Sequence, residues 1–157
     1  EGPRHFAFHP TRDILYSVNE NGCTVSAHHF DPAAGTLESF QVISTHPEGF
    51  SGESQSTAEI RVTHDGRHLY ASNRGHDSLA IFSIDDDGAL AAVGHQPTEA
   101  IPRFFDLDPT GNFILAVGQG SGRLASYRID HDGGGLAPLE THEVGEAPLW
   151  IQFVPAA

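Results

Sequence analysis

The sequence predicts an all-β protein made of repeated four-stranded blades, and three observations carry that expectation. A twelve-residue pattern occurs three times, as HPTRDILYSVNE (His9 to Glu20), THDGRHLYASNR (Thr63 to Arg74) and DPTGNFILAVGQ (Asp108 to Gln119). The copies start at 9, 63 and 108, so they recur after 54 and 45 residues, the period of stacked or radial arrays. Around them lie short apolar, β-favouring runs divided by turns rich in Gly, Asp and Pro, with no helical periodicity.

Taken in order, the first unit runs from Gly2 to about Thr45 and reads as strands Arg4 to Phe8, Ile14 to Asn19, Thr24 to Phe30 and Leu37 to Ile43. PTRD, ENG and DPAAGT separate them, each supplying residues that set a turn's φ or cap its backbone. The second unit repeats the order with Glu59 to Val62, His68 to Ser72, Ser78 to Ile84 and Leu90 to His95 around HDG, RGHD and DDDG. In the third, Phe104 to Leu107, Phe113 to Val117, Leu124 to Ile129 and Leu136 to Val144 are divided by DPTGN, GQGSG and DHDGGG. A lone strand, Leu149 to Val154, is expected to follow. Four short antiparallel strands per repeat of this length indicate β-propeller blades, at about 2–45, 58–98 and 101–145, with a closing strand at 148–155. Three blades do not close a ring, since propellers need roughly four to eight. The chain therefore reads as part of a larger ring, and its exposed blade edges predict self-association.

Composition narrows the partners. Twenty-one acidic residues face eight basic ones, all Arg, for a net charge of −13. Nucleic acid does not suit such a surface. No apolar run approaches the about 20 residues of a spanning helix, so no membrane role is expected. The single cysteine, Cys23, has no partner within the chain and reads as a small strand residue.

The repeat also locates chemistry. In an antiparallel hairpin the start of the first strand lies beside the end of the second. That register puts Arg4 and His5 beside Glu20, Glu59 beside Arg74, and Arg103 beside Gln119. If the first strand of each blade lines the channel, these residues ring one mouth of it, reached also by the long connection Ser44 to Thr57. Arg offers planar paired donors to a carboxylate or phosphate, and a neighbouring Glu offers a base for water. Opposing this, a Glu beside Arg becomes a weaker base. The competing reading is that Arg4 with Glu20 and Arg74 with Glu59 are ion pairs that only hold the strands in register. His28 with His29, His64 with His68, and His5 with His9 are poor metal pairs at strand or turn spacing, so no metal is expected. Asp85 to Gly88 and Asp130 to Gly135 lack the ligand order of a calcium loop and read as hairpin turns. Trp150 is expected to pack in the last blade.

GPRHFAFHP, PEGFSG, AEIRVTHDGRHLYASNRGHDSLAIF, PRFFDLDPTGNFILAVGQ and APLWIQF together resemble the 6-phosphogluconolactonase family of seven-bladed propellers, which also contains carboxymuconate lactonizing enzymes. The resemblance covers essentially the whole chain and is similar to the C-terminal half of a member. It implies hydrolysis of a small anionic lactone, 6-phosphoglucono-1,5-lactone, in the pentose phosphate pathway, with no cofactor and a cytoplasmic setting. It also implies catalytic roles for Arg4, Glu20 and Arg74, and the expected ring at the channel mouth adds His5, Glu59, Asn73, Arg103 and Gln119 as substrate contacts. The family's catalytic His falls one blade earlier and has no counterpart in this sequence. Two alternatives stand beside lactone hydrolysis: a non-catalytic propeller that binds an anionic metabolite or protein, and a carboxymuconate cycloisomerase-type reaction.

Overall fold

Alternating side chains and turn residues every few positions give this chain strands and little else. The computed structural model describes residues 1–52 and 54–154. In chain order the strands are β1 (Pro3–Phe8), β2 (Ile14–Asn19), β3 (Thr24–Asp31), β4 (Thr36–Ser44), β5 (Ser56–Val62), β6 (His68–Arg74), β7 (Ser78–Ile84), β8 (Leu90–Pro97), β9 (Pro102–Leu107), β10 (Phe113–Gly118), β11 (Arg123–Ile129) and β12 (Leu136–Glu143). They form three antiparallel four-stranded sheets in sequence order, β1 to β4, β5 to β8 and β9 to β12, which are propeller blades. The inner strands β1, β5 and β9 lie side by side.

Every blade breaks register at the same place. On the inner strand the pairing slips between Pro3 and His5, between Thr57 and Ile60, and opposite Val117 and Gly118. A bulge of this kind adds a residue, sharpens the twist and re-aims a side chain. Arg4, the Ala58–Glu59 pair and Arg103 are the residues that fall in these bulges.

The core lies between blades. Ile14, Tyr16, Val18 and Val25 of the first blade pack on Ile60, Leu69, Ala71 and Phe82 of the second. Tyr70, Leu79 and Ile81, on the second blade's other face, pack on Phe105, Ile114, Tyr127 and Leu136 of the third. β6 is thus buried on both faces, and each fully buried Leu, Ile or Phe contributes about 1.5–3 kcal/mol. The repeat extends to polar detail. The Tyr16 hydroxyl donates to the Gly88 carbonyl at 2.8 Å, and its equivalent Tyr70 donates to Gly134 at 2.8 Å. Each glycine sits in the next blade's outer turn with positive φ, +85° and +74°, and a Cβ there would run into Ile14 or His68. Asp85 and Asp130 close those turns by accepting backbone N–H groups, as their composition predicted.

Three expectations change. Leu149 to Val154 forms no strand, because strand pairing needs a neighbouring ladder and none is present among the described residues; residue 155 lies outside them. Trp150 remains 65% exposed and rests one face on Phe104, with ring centroids 4.2 Å apart. Cys23 is buried in the β2–β3 turn rather than in a strand, with φ of 50°.

Candidate functional site

The β1 bulge turns Arg4 away from its own ladder and toward the next blade. Its Nε donates to the Ala58 carbonyl at 3.0 Å, and its Nη1 lies 3.1 Å from both Glu20 carboxylate oxygens. Glu20 ends the β2 repeat segment and is met from the second blade by Arg74, whose Nη2 donates to the same carboxylate and, at 2.8 Å, to the Thr57 carbonyl. Glu20 therefore sits between two guanidiniums. The Arg74 hydrogen bond, reinforced by Arg4 and opposed by partial burial, holds its carboxyl below its ordinary value. The Nε of Arg74 is buried with no partner among the described residues.

One layer along the inner strands lies a second cluster. Glu59, 1% exposed, has its backbone N–H freed by the β5 bulge and capped by the Ser72 hydroxyl at 3.0 Å. Its carboxylate receives His5 Nδ1 at 2.8 Å on one oxygen; the other takes the Ile60 N–H at 3.0 Å and Arg61 Nη1. Arg61 Nε then donates to Asp106 at 2.7 Å, so His5, Glu59, Arg61 and Asp106 link all three blades. The Arg61 guanidinium also lies 5.2 Å above the Phe104 ring that carries Trp150. A cleft of ≈ 220 Å³ opens between Arg4, His5, Phe6, Glu59, Arg61 and Trp150.

The pairing differs from the one expected within each hairpin. Arg4 does meet Glu20, but Glu59 meets His5 and Arg61, and Arg74 crosses to Glu20. The bulges shift the inner strand against its partner, and Ser56 rather than Glu59 lies opposite Arg74. Arg103 has no ion pair or side-chain hydrogen bond among the described residues, and it is not beside Gln119, whose N–H bonds the Ile101 carbonyl at 2.9 Å. Gln119 instead borders a separate concavity with Ser121, Glu143 and Glu146. Asn73 is fully buried. Its amide donates to the Thr45 carbonyl at 2.7 Å, which makes it an anchor for the β4–β5 connection.

Arg61 and Asp106 were missed by sequence reasoning, and Trp150 was read only as a packing residue. Period-two alternation could have found Arg61, which follows Glu59 by two positions on one strand and so shares its face. Nothing local marks Asp106 or Trp150. The histidine pairs also disperse: His28 bonds Ser17, His9 bonds the Gly66 carbonyl, and His29 stacks on Phe40. Among the described residues no three His, Cys, Asp or Glu side chains converge as a metal-binding group. No helix long and apolar enough to cross a membrane occurs among them.

Comparison with known proteins agrees with this fold. The profile of a family described as lactonase, 7-bladed beta-propeller, matches residues 1–153. A 6-phosphogluconolactonase of Pectobacterium carotovorum is 43% identical over 154 residues, covering 98% of this chain and 46% of the relative. One of Cronobacter sakazakii is 39% identical over 151 residues, covering 96% and 45%. The chain thus spans about half the length of the curated relatives it matches. Among solved structures, a periplasmic gluconolactonase of Pseudomonas aeruginosa superposes with a TM-score of 0.90 at 30% identity, covering 98% of this chain and 43% of that one. A protein from Lactobacillus plantarum gives 0.86 at 32% identity, covering 92% and 42%.

Proposed function

The chain belongs to the seven-bladed β-propeller lactonase family, and from that premise we propose that it hydrolyses 6-phosphogluconolactone to 6-phosphogluconate, the activity for which its curated relatives are named. One observation carries the reading. Two guanidiniums, Arg4 and Arg74, are fixed on the Glu20 carboxylate beside a cleft that Arg61 also borders.

The substrate of such a reaction carries a phosphate and an ester carbonyl that becomes an oxyanion on attack by water. Arg stays charged at any working pH and presents donors in a rigid plane, which suits both groups. Arg4 uses Nε and Nη1 on protein partners and Arg74 uses Nη2, so each keeps a further nitrogen for a ligand. Glu20 holds the two cations in register before substrate arrives, which lowers the cost of orienting them. Its depressed pKa suits this positioning role and makes it a weak proton acceptor. A cytoplasmic setting belongs to the same proposal, because a charged sugar phosphate does not cross a membrane unaided.

The test is turnover of freshly generated 6-phosphogluconolactone by the purified chain, corrected for spontaneous hydrolysis. Arg74→Ala and Glu20→Ala should each lower kcat/KM by at least about tenfold. Unchanged turnover in both variants would reject the site. Unphosphorylated glucono-1,5-lactone is run in parallel, and equal use of it would remove the phosphate from the proposal.

A further inference from the structure

We infer that Thr57 is a positioning residue for the reaction: it fixes the main-chain acceptor that, together with Glu20, aims the Arg74 guanidinium. The inference rests on the hydrolase reading above and names what keeps that cation oriented. Glu20 alone is a loose clamp. Its side chain turns about several bonds, so its oxygens can follow a guanidinium that swings. A carbonyl in a paired strand has no such freedom. Arg74 Nη2 donates to both acceptors, to the Glu20 carboxylate and, at 2.8 Å, to the Thr57 carbonyl.

A guanidinium is planar, so two acceptors on one of its nitrogens orient the whole group. Both hydrogens of Nη2 are engaged in this way, and Nε is buried. Nη1 has no protein partner among the described residues and is the nitrogen left for a ligand. Where Nη1 points is therefore set by where the Thr57 carbonyl stands.

Thr57 is itself held from the first blade. It is fully buried, its N–H donates to the Glu20 carbonyl at 3.0 Å, and its hydroxyl donates to the Asn19 carbonyl at 2.9 Å. Main chain and side chain together tie the start of β5 to the end of β2, at Glu20 and the residue before it. The hydroxyl matters because the ladder is interrupted here. Thr57 pairs with Asn73, pairing with β6 resumes only at Ile60, and across the gap the Ser72 hydroxyl receives the Glu59 N–H at 3.0 Å. A bulge loosens the restraint that a continuous ladder supplies, and the Thr57 hydroxyl replaces part of it. Without that hydroxyl the Asn19 carbonyl loses its donor and the bulge is free to shift. A displacement of about 1 Å in a group that orients substrate costs about 10²-fold in rate.

The experiment measures lactone hydrolysis by Thr57→Val and Thr57→Ser, each alone and combined with Arg74→Ala, and the guanidinium ¹⁵N signals of Arg74. Thr57→Val keeps the shape and removes the hydroxyl, and should lower kcat/KM at least about tenfold. Thr57→Ser keeps the hydroxyl and should recover to within about threefold of wild type. In the Arg74→Ala background Thr57→Val should cost less than about threefold, since the group it aims is gone; a loss of structure alone would cost the same in both backgrounds. Rotation about the Nε–Cζ bond averages the two Nη signals of a free arginine, and fixed acceptors slow it. Arg74 should therefore show separate Nη signals in wild type that move toward one averaged signal in Thr57→Val. A Thr57→Val loss below about threefold, an equal loss in both backgrounds, a Thr57→Ser no better than Thr57→Val, or Nη signals unchanged by Thr57→Val overturns the assignment. Averaged Nη signals in wild type overturn it independently of any variant's folding. A wild-type chain that leaves the lactone at its spontaneous rate overturns the hydrolase reading, and Thr57's part in the reaction with it.

Discussion

Glu20 and Arg74 hold the same place in two successive copies of the repeat, 54 residues apart, and they meet in an ion pair between the first and second blades. His5 with Glu59 repeats that spacing, and Arg61 with Asp106 follows the second repeat interval of 45. Each contact joins equivalent positions, because the inner ends of adjacent blades stand at the same height around one axis. Opposite charges at one repeat position thus become neighbours. The third copy places Gln119 there, and the charge alternation stops.

Glu20→Gln should destabilise the fold by about 1–3 kcal/mol at pH 7, since it leaves two partly buried guanidiniums without their anion. The effect has a defined pH dependence. Arg74 and Arg4 depress the folded-state pKa of Glu20, so its stabilisation is complete above the ordinary value of 4.5 and fades as pH falls through it toward the folded value. Urea unfolding of both proteins from pH 7 to pH 3 should show the gap between them closing. A constant gap would remove Glu20's charge as the cause.

The β4–β5 connection should loosen in mild acid. His46 contacts Phe50 and His76, and His76 contacts His95, which donates to the Thr45 carbonyl at 2.8 Å. Burial lowers the pKa of His46 and His76; His76 and His95 lower His46 further, and only Asp77 beside His76 opposes. Neutral rings are favoured in the fold, so their stabilisation is present above 6.5 and is lost as pH falls below it. Hydrogen exchange of the Thr45–Phe50 amides, corrected for intrinsic rate, should quicken between pH 7.5 and pH 5. His46→Phe should flatten the response. Equal protection at both pH values in wild type would count against the histidines.

Tyr16→Phe and Tyr70→Phe should each cost about 1–3 kcal/mol, because each leaves a buried glycine carbonyl without its donor while preserving the ring. The two tyrosines serve different blade interfaces, so the double variant should lose close to the sum. Denaturant unfolding reads this directly. A loss confined to one interface would show that the two are not energetically equivalent.

Trp150 offers an internal reporter, being the single tryptophan and lying in the cleft that also contains Arg61. Titration with 6-phosphogluconate should shift or quench its fluorescence, and Arg61→Ala should weaken the apparent affinity at least about tenfold by removing a charged contact. An unresponsive tryptophan in a chain shown by calorimetry to bind the ligand would place the ligand elsewhere.

Strand order, turn positions and the polar residues at the inner ends of the first two blades were legible in the sequence, because alternation, turn chemistry and repeat period are local properties of the chain. The repeat even brought Arg4, His5, Glu20, Glu59 and Arg74 to attention together. Which of them touch was decided only by tertiary structure. A bulge adds a residue without disturbing the apolar pattern, so nothing in the sequence shows that Arg4, Glu59 and Arg103 leave their ladders. Contacts between blades join residues 45 or 54 apart, a distance no local rule spans, so Glu59 was matched to Arg74 within its own hairpin instead of to His5 on the neighbouring blade. For the same reason Leu149 to Val154 carries a strand's composition without a strand's hydrogen bonds. A sequence can favour extended backbone, but only a neighbouring ladder makes it a strand.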